Sequence, residues 1–274
     1  MKTLFKNIWL RIEEPLVFHP LRKTLAEPTE KIKHKIENLY IKSGNSTLNA
    51  WYLHPKGNNP VVIYCHGQGE NISSMQQSYD FMEERGIGFL AVDYTGHGNS
   101  TGHPTEEKIY SDIDTCVEYL KNEKHFDMSK IIIWGRSMGG AIAIEASTRH
   151  NFRGTIVESS FTNIKDAGVS LSYSNHEAMG PIRRILFRNA HYMPVTQNFD
   201  SYSKIDRVKS PMLIIHSKQD ELINFEQAQK NALKADFAKF VLLDEGGHYY
   251  SSWAFDEIEK FINQLSRVEV SQPL

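Results

Sequence analysis

The feature that most constrains this chain is a rhythm: from residue 36 onward, short strand-like runs alternate with longer helix-like stretches. IENLYIKS (36–43) and TLNAWYLH (47–54) flank Gly44-Asn45-Ser46 and read as a hairpin. VVIYC (61–65) is a continuous apolar run rich in β-branched residues, the pattern of a strand covered on both faces. Beyond it the spacing predicts a helix over about 73–85, a strand IGFLAVD (87–93), a helix over about 105–122 and a strand KIIIWG (130–135). A helix over 138–149, the strands GTIVES (154–159) and MLIIHS (212–217), a helix over 224–235, the strand KFVLLD (239–244) and a helix over 251–265 complete the order. A hairpin followed by repeated βα units predicts an α/β architecture, with a mostly parallel eight-stranded sheet and helices on both faces. Sheets of this kind bind ligands at the carboxyl ends of their strands, and the polar motifs of the chain fall at those ends.

A length of 274 residues suits one large domain, with residues 1–35 as an N-terminal extension and 36–274 as the sheet domain. The rhythm breaks at about 163–204, a span far longer than the few residues of an ordinary βα connection. Long rim segments of this kind are usually functional, so the expectation is a short cap over the ligand edge. Within it GPIRRILFRN carries Arg183, Arg184 and Arg188, and the last two lie one helical turn apart. An amphipathic cap helix is expected here, with Ile182, Ile185, Leu186 and Phe187 as apolar surface. Arg184, Arg188 and Phe187 are the candidate substrate contacts, and solvated arginines with no partner beyond local carboxylates are the alternative.

The formal net charge of −2 removes the bulk electrostatic case for nucleic-acid binding. Cys65 and Cys116 both sit in apolar runs and read as buried thiols, not as a disulfide or a metal cluster. No run approaches a membrane span, and MKTLFKNIWLRIEEP lacks a signal peptide's apolar core, so the cytoplasm is the expected compartment. Leu4, Phe5, Ile8, Trp9 and Ile12 do recur at helical spacing beside Lys2, Lys6 and Arg11. Such a stripe either packs on its own domain or makes peripheral contact with a membrane surface.

Gly135-Arg136-Ser137-Met138-Gly139 matches G-x-S-x-G between an expected strand and an expected helix. A tight, strained turn there requires small flanking residues and holds the Ser137 hydroxyl out at the sheet edge. The adjoining helix N-terminus favours developing negative charge, and the Met138 N–H is placed to donate to an oxyanion. A serine hydroxyl is a weak nucleophile until a base takes its proton. His248, in DEGGHYY after the last strand, is the expected base; His66 and His97 compete from glycine-bearing loops after earlier strands. The orienting acid is expected at Asp220, just past MLIIHS, with Glu158 at the end of GTIVES as its rival. The second oxyanion donor is expected in Cys65-His66-Gly67-Gln68-Gly69, from the Gln68 N–H or, failing that, Gly67. A backbone donor leaves the Gln68 amide free to line the pocket.

Taken together these residues resemble the α/β-hydrolase superfamily and are similar to its BEM46-like and ABHD17-like serine hydrolases. YCHGQGENISSM, DYTGHGNSTGHPTEEKIYSDI, GRSMGG, ESSFTNI, IIHSKQDELI and EGGHYY follow that group's order over about residues 36–265. The resemblance implies the α/β-hydrolase fold, Ser137, Asp220 and His248 as the triad, and esterase or thioesterase chemistry. Members of the group often begin with a membrane anchor or a palmitoylated cysteine cluster, and this sequence shows neither. The resulting expectation is a serine hydrolase of esters or thioesters bearing an acyl chain, a small-molecule or lipid-like substrate, cleaved through an acyl-enzyme without metal or cofactor. The alternatives are a membrane-surface or partner-binding protein that keeps the fold, and a serine peptidase.

Overall fold

The computed structural model describes residues 13–15, 17–22, 26–174, 181–249 and 251–268. The apolar stripe of residues 4–12 and the side chains of Ile182 and Arg183 lie outside the described residues. The strands are β1 (Ile36–Ser43), β2 (Ser46–Leu53), β3 (Val61–Cys65), β4 (Gly88–Val92), β5 (Ile131–Arg136), β6 (Gly154–Glu158), β7 (Met212–Ser217) and β8 (Ala238–Leu243). They form one eight-stranded sheet in the order β1-β2-β4-β3-β5-β6-β7-β8. β2 runs antiparallel to both β1 and β4, and every pairing from β4 through β8 is parallel. The β1–β2 turn is tighter than the expected three residues, because Ser43 pairs directly with Ser46 around Gly44-Asn45. Gly44, at φ 54°, supplies the left-handed backbone that such a turn needs.

The central strands are apolar without interruption because both faces of the sheet are covered. Pleating sends alternate residues to opposite sides. Val61, Ile63, Cys65, Ile131 and Ile133 meet the helices Glu106–Asn122 and Met138–Arg149 through Ile113, Cys116 and Ile142. Val62, Tyr64, Ile132 and Trp134 meet the helices Gln76–Glu84 and Ser251–Val268 through Tyr79, Met82, Ile258 and Phe261. Cys65 and Cys116 are both free and buried, as their apolar context implied. Among the described residues, no helix is long and apolar enough to cross a membrane.

Between β6 and β7 the chain forms the helices Ile164–Tyr173 and Pro181–Arg188. The first starts where the Asn163 side chain accepts the Lys165 and Asp166 N–H groups, an N-cap that satisfies two otherwise free donors. Three loops, after β5, β7 and β8, converge on one edge of the sheet, and they carry Ser137, Asp220 and His248.

Candidate active site

Ser137 follows β5 directly and has φ 55° and ψ −120°, a conformation costly for any residue with a side chain. Strain of this kind costs on the order of 1–3 kcal/mol and persists only where the surroundings over-determine it. Here they do. The Ser137 N–H donates to the Glu158 carbonyl at 2.8 Å. Its own carbonyl accepts from the Gly140 N–H at 3.0 Å and from Ser160 Oγ at 2.8 Å. A Cβ at Gly135 would meet the Gly139 carbonyl, and one at Gly139 would meet the Cys65 carbonyl, so the turn tolerates only glycine at both flanks. The hydroxyl of Ser137 does not cap the helix that begins at Met138. Ser137 is partly exposed between buried neighbours, as a reactive group must be.

The loop after β8 turns through Gly246 and Gly247, at φ 124° and 97°, and delivers His248, 4% exposed. His248 Nδ1 lies 2.8 Å from Asp220 Oδ2. Asp220 Oδ1 accepts the Leu222 and Ile223 N–H groups at 2.9 and 2.8 Å, and Oδ2 also faces His216 Nε2 at 3.0 Å. Burial alone would raise the Asp220 carboxyl; the hydrogen bonds from His216 and His248 outweigh it and hold the group below the usual carboxylate range. An ionised carboxylate at Nδ1 demands a donor there, which leaves Nε2 of a neutral imidazole as the acceptor. The backbone of His248 is also fixed: its N–H donates to Glu221 Oε2 at 3.1 Å, and its carbonyl accepts Ser159 Oγ at 3.2 Å. Glu158 and Ser159, at the end of β6, thus grip Ser137 with one residue and His248 with the next.

The rival residues are engaged elsewhere. His66 and His97 are at most 1% exposed, and burial drives their pKa values down to about 4 and about 3. Their rings lie 5.3 Å apart, and each hydrogen-bonds within its own loop, to Gly67 O and Thr95 O respectively. The Glu158 carboxylate, fully buried, takes the Trp134 indole N–H at 2.9 Å.

The loop after β3 lies against the serine, since a Cβ at Gly67 would stand 3.3 Å from Ser137 Cβ. The Gln68 side chain donates to the Val17 carbonyl of the N-terminal segment at 2.5 Å. The described residues of that segment around Glu13 and Phe18 are packed against the domain. Buried Glu13 accepts the Thr196 and Gln197 N–H groups at 2.6 and 3.0 Å, and Phe18 meets Phe199 edge to face at 5.9 Å. Sequence reasoning missed these contacts, along with His216 and the buried Arg136–Glu70 ion pair. Arg136 was visible only as a variable position of the elbow, and His216 as a lone polar residue in an apolar strand.

In the 163–204 segment, Phe187 packs on Gly168, where a Cβ would lie 3.0 Å from its ring. Arg188 sits over the Tyr173 ring at 4.8 Å. Ile185 is 65% and Leu186 43% exposed, so the expected single apolar face is split. The reason is helical geometry: residues 185 and 187 are about 200° apart, and one faces out when the other faces in.

The pattern of the Hydrolase_4 family, described as serine aminopeptidase, S33, matches residues 56–203, which include the elbow but not Asp220 or His248. Human Protein ABHD12B is 24% identical over 265 residues, covering 84% of this chain and 71% of that protein. The Caenorhabditis elegans alpha/beta hydrolase domain-containing protein aho-3 is 28% identical over 171 residues, 60% of this chain and 45% of its own length. A Pyrococcus furiosus esterase structure superposes with a TM-score of 0.74 at 18% identity, covering 90% of this chain and 97% of that one. An alpha-beta hydrolase from Vibrio vulnificus gives 0.75 at 23%, covering 96% and 93%. With more than half its length matched by the family pattern and an eight-stranded sheet of this order, the chain belongs to the Hydrolase_4 family of the α/β-hydrolase superfamily.

Proposed function

We propose that this chain is a serine hydrolase that cleaves carboxylic esters or thioesters through an acyl-enzyme. One observation carries the reading: a strained Ser137 elbow and an Asp220-backed His248, both anchored on the end of β6. In the proposed reaction His248 Nε2 takes the Ser137 proton as Oγ attacks the substrate carbonyl. The Met138 and Gln68 N–H groups stabilise the resulting oxyanion. His248 then returns its proton to the leaving alcohol or thiol, and water repeats the sequence on the acyl-serine. Asp220 keeps the imidazole in the tautomer that exposes Nε2 and stabilises the imidazolium.

The exposed Ile185, Leu186 and Tyr192, beside Arg184 and Arg188, favour a substrate with an acyl chain and an anionic group. Peripheral contact of the N-terminal segment with a membrane would fit such a substrate. The narrower BEM46-like placement rests on the motifs quoted above. The family description favours a second reading, release of N-terminal amino acids, which the same acyl-transfer groups would serve. A fluorophosphonate probe tests the core of the reading. Folded wild-type protein should label and Ser137→Ala should not; an unlabelled wild type overturns it. Rates on p-nitrophenyl esters of graded chain length, thioesters and aminoacyl p-nitroanilides separate the two substrate classes.

A further inference from the structure

Glu70 and Arg136 carry opposite charges inside the protein, with side chains 9% and 8% exposed, and they form an ion pair. Replacing such a pair by apolar residues is often neutral or stabilising, so stability alone is a weak reason to keep it. Its position supplies a better one. Arg136 ends β5 and immediately precedes Ser137. Glu70 belongs to the loop after β3, and while one of its carboxylate oxygens meets Arg136, the other accepts the Gly67 N–H at 2.7 Å. The Gly67 carbonyl is held as well, by the Glu70 N–H at 3.3 Å and by His66 Nδ1 at 2.9 Å. In a trans peptide the C=O and the following N–H point opposite ways. Holding the Gly67 carbonyl therefore aims the Gln68 N–H.

Glycine at 67 would otherwise leave this peptide free to rotate. A side chain there has no room, since its Cβ would lie 2.8 Å from Glu70 Oε2 and 3.3 Å from Ser137 Cβ. The loop is thus flexible by composition and fixed by its partners. A carboxylate so close to a developing oxyanion would oppose catalysis, and the Arg136 guanidinium neutralises it. Arg136 also lies 5.6 Å from the Tyr249 ring, whose edge-to-face partner at 5.1 Å is His248. One cation therefore borders the nucleophile, the oxyanion loop and the base loop.

We propose that Glu70 and Arg136 are positioning residues: together they aim the Gln68 N–H at the oxyanion while cancelling the charge that the grip requires. The proposal rests on the hydrolase reading above. Oxyanion donors act only when preorganised, and losing one costs about 100–1,000-fold in kcat, so misaiming one should cost about 10–100-fold.

The test measures kcat and KM on p-nitrophenyl butyrate, with each variant's active sites counted by fluorophosphonate titration. A trifluoromethyl ketone, whose adduct carries an oxyanion, reports the hole directly. Glu70→Leu and Arg136→Gln should lose about 10–100-fold in kcat per titrated site, with KM within about 3-fold, and ketone affinity should fall in step. The double variant Glu70→Gln/Arg136→Gln restores a neutral, hydrogen-bonded pair and should recover to within about 5-fold of wild type; it also serves if a single variant fails to fold. Losses confined to melting temperature or titratable fraction, with kcat per site unchanged, overturn the proposal. Should the wild type neither label nor turn over, the hydrolase reading fails separately. Exchange of the Gly67 amide then decides the grip: faster exchange in Glu70→Leu sustains it, and unchanged exchange overturns it.

Discussion

The strand ends that carry Ser137, Asp220 and His248 and the helical segment that follows β6 are built on opposite plans. At the strand ends the candidate groups are tightly held: Asp220 accepts from two backbone N–H groups and faces two histidines. Ser137 is held by three backbone or side-chain hydrogen bonds in a conformation it would not adopt alone. In the helical segment Tyr192 is 89%, Tyr173 66% and Ile185 65% exposed. One region spends its contacts on fixing geometry, and the other leaves apolar surface open. On the proposed hydrolase reading this is a division of labour, in which chemistry would be tied to the sheet edge and substrate choice to a surface that can vary without disturbing it.

The largest effects should therefore come from the sheet edge. Ser137→Ala should remove about four orders of magnitude or more in kcat, with circular dichroism and melting temperature close to wild type. Activity near wild type would break the comparison outright. Asp220→Asn should lower kcat about 1,000–10,000-fold by disturbing the imidazole tautomer. Glu158→Gln, by contrast, should act on thermal stability through Trp134 and leave kcat within about 10-fold; the reverse pattern would move the acid to β6.

A third prediction concerns stability at the same edge. Burial of Asp93, 1% exposed, pushes its pKa up to about 6 against the lowering effect of the Ile72 and Asn99 N–H groups. Its unfolded value is about 3.9, so the native state holds the proton longer. That contribution is fully present below about pH 4 and is lost as pH rises through about 6. The stability of wild type relative to Asp93→Asn should fall by on the order of 2 kcal/mol between pH 4 and pH 7 in urea melts. A constant difference across that range would show Asp93 titrating alike in both states.

The smallest effects should come from the helical segment. Arg184→Ala/Arg188→Ala should leave stability within about 1 kcal/mol and reduce kcat/KM several-fold for an anionic ester only, fading in high salt. Equal losses on a neutral ester of the same chain length would return these arginines to plain surface.

The fold was legible because its central strands are buried on both faces, and VVIYC or KIIIWG can hardly be anything else. The residues at the sheet edge were legible because they sit next to glycines or just past strands. What escaped notice depends on pairings across the chain. Glu70 and Arg136 are 66 residues apart, and nothing local to either marks the other as its partner. His216 looked like a strand residue until the loop after β7 folded Asp220 back onto it. The cap face differs from expectation at Phe187 for a simpler reason: it stands about 200° round the helix from Ile185 and cannot share that side.

The tie between Glu13 and Thr196 has a consequence in time. The two residues are 183 positions apart, so the first must wait for the second to be made. At about 5–20 residues per second that wait is roughly 10–40 s. By its end the strands β1 to β6 have all been synthesised, while the stretch around Val17 and Phe18 has had no partner at Thr196 or Phe199. Glu13 and Phe18 are thus made well before the residues that hold them and settle only after those residues exist.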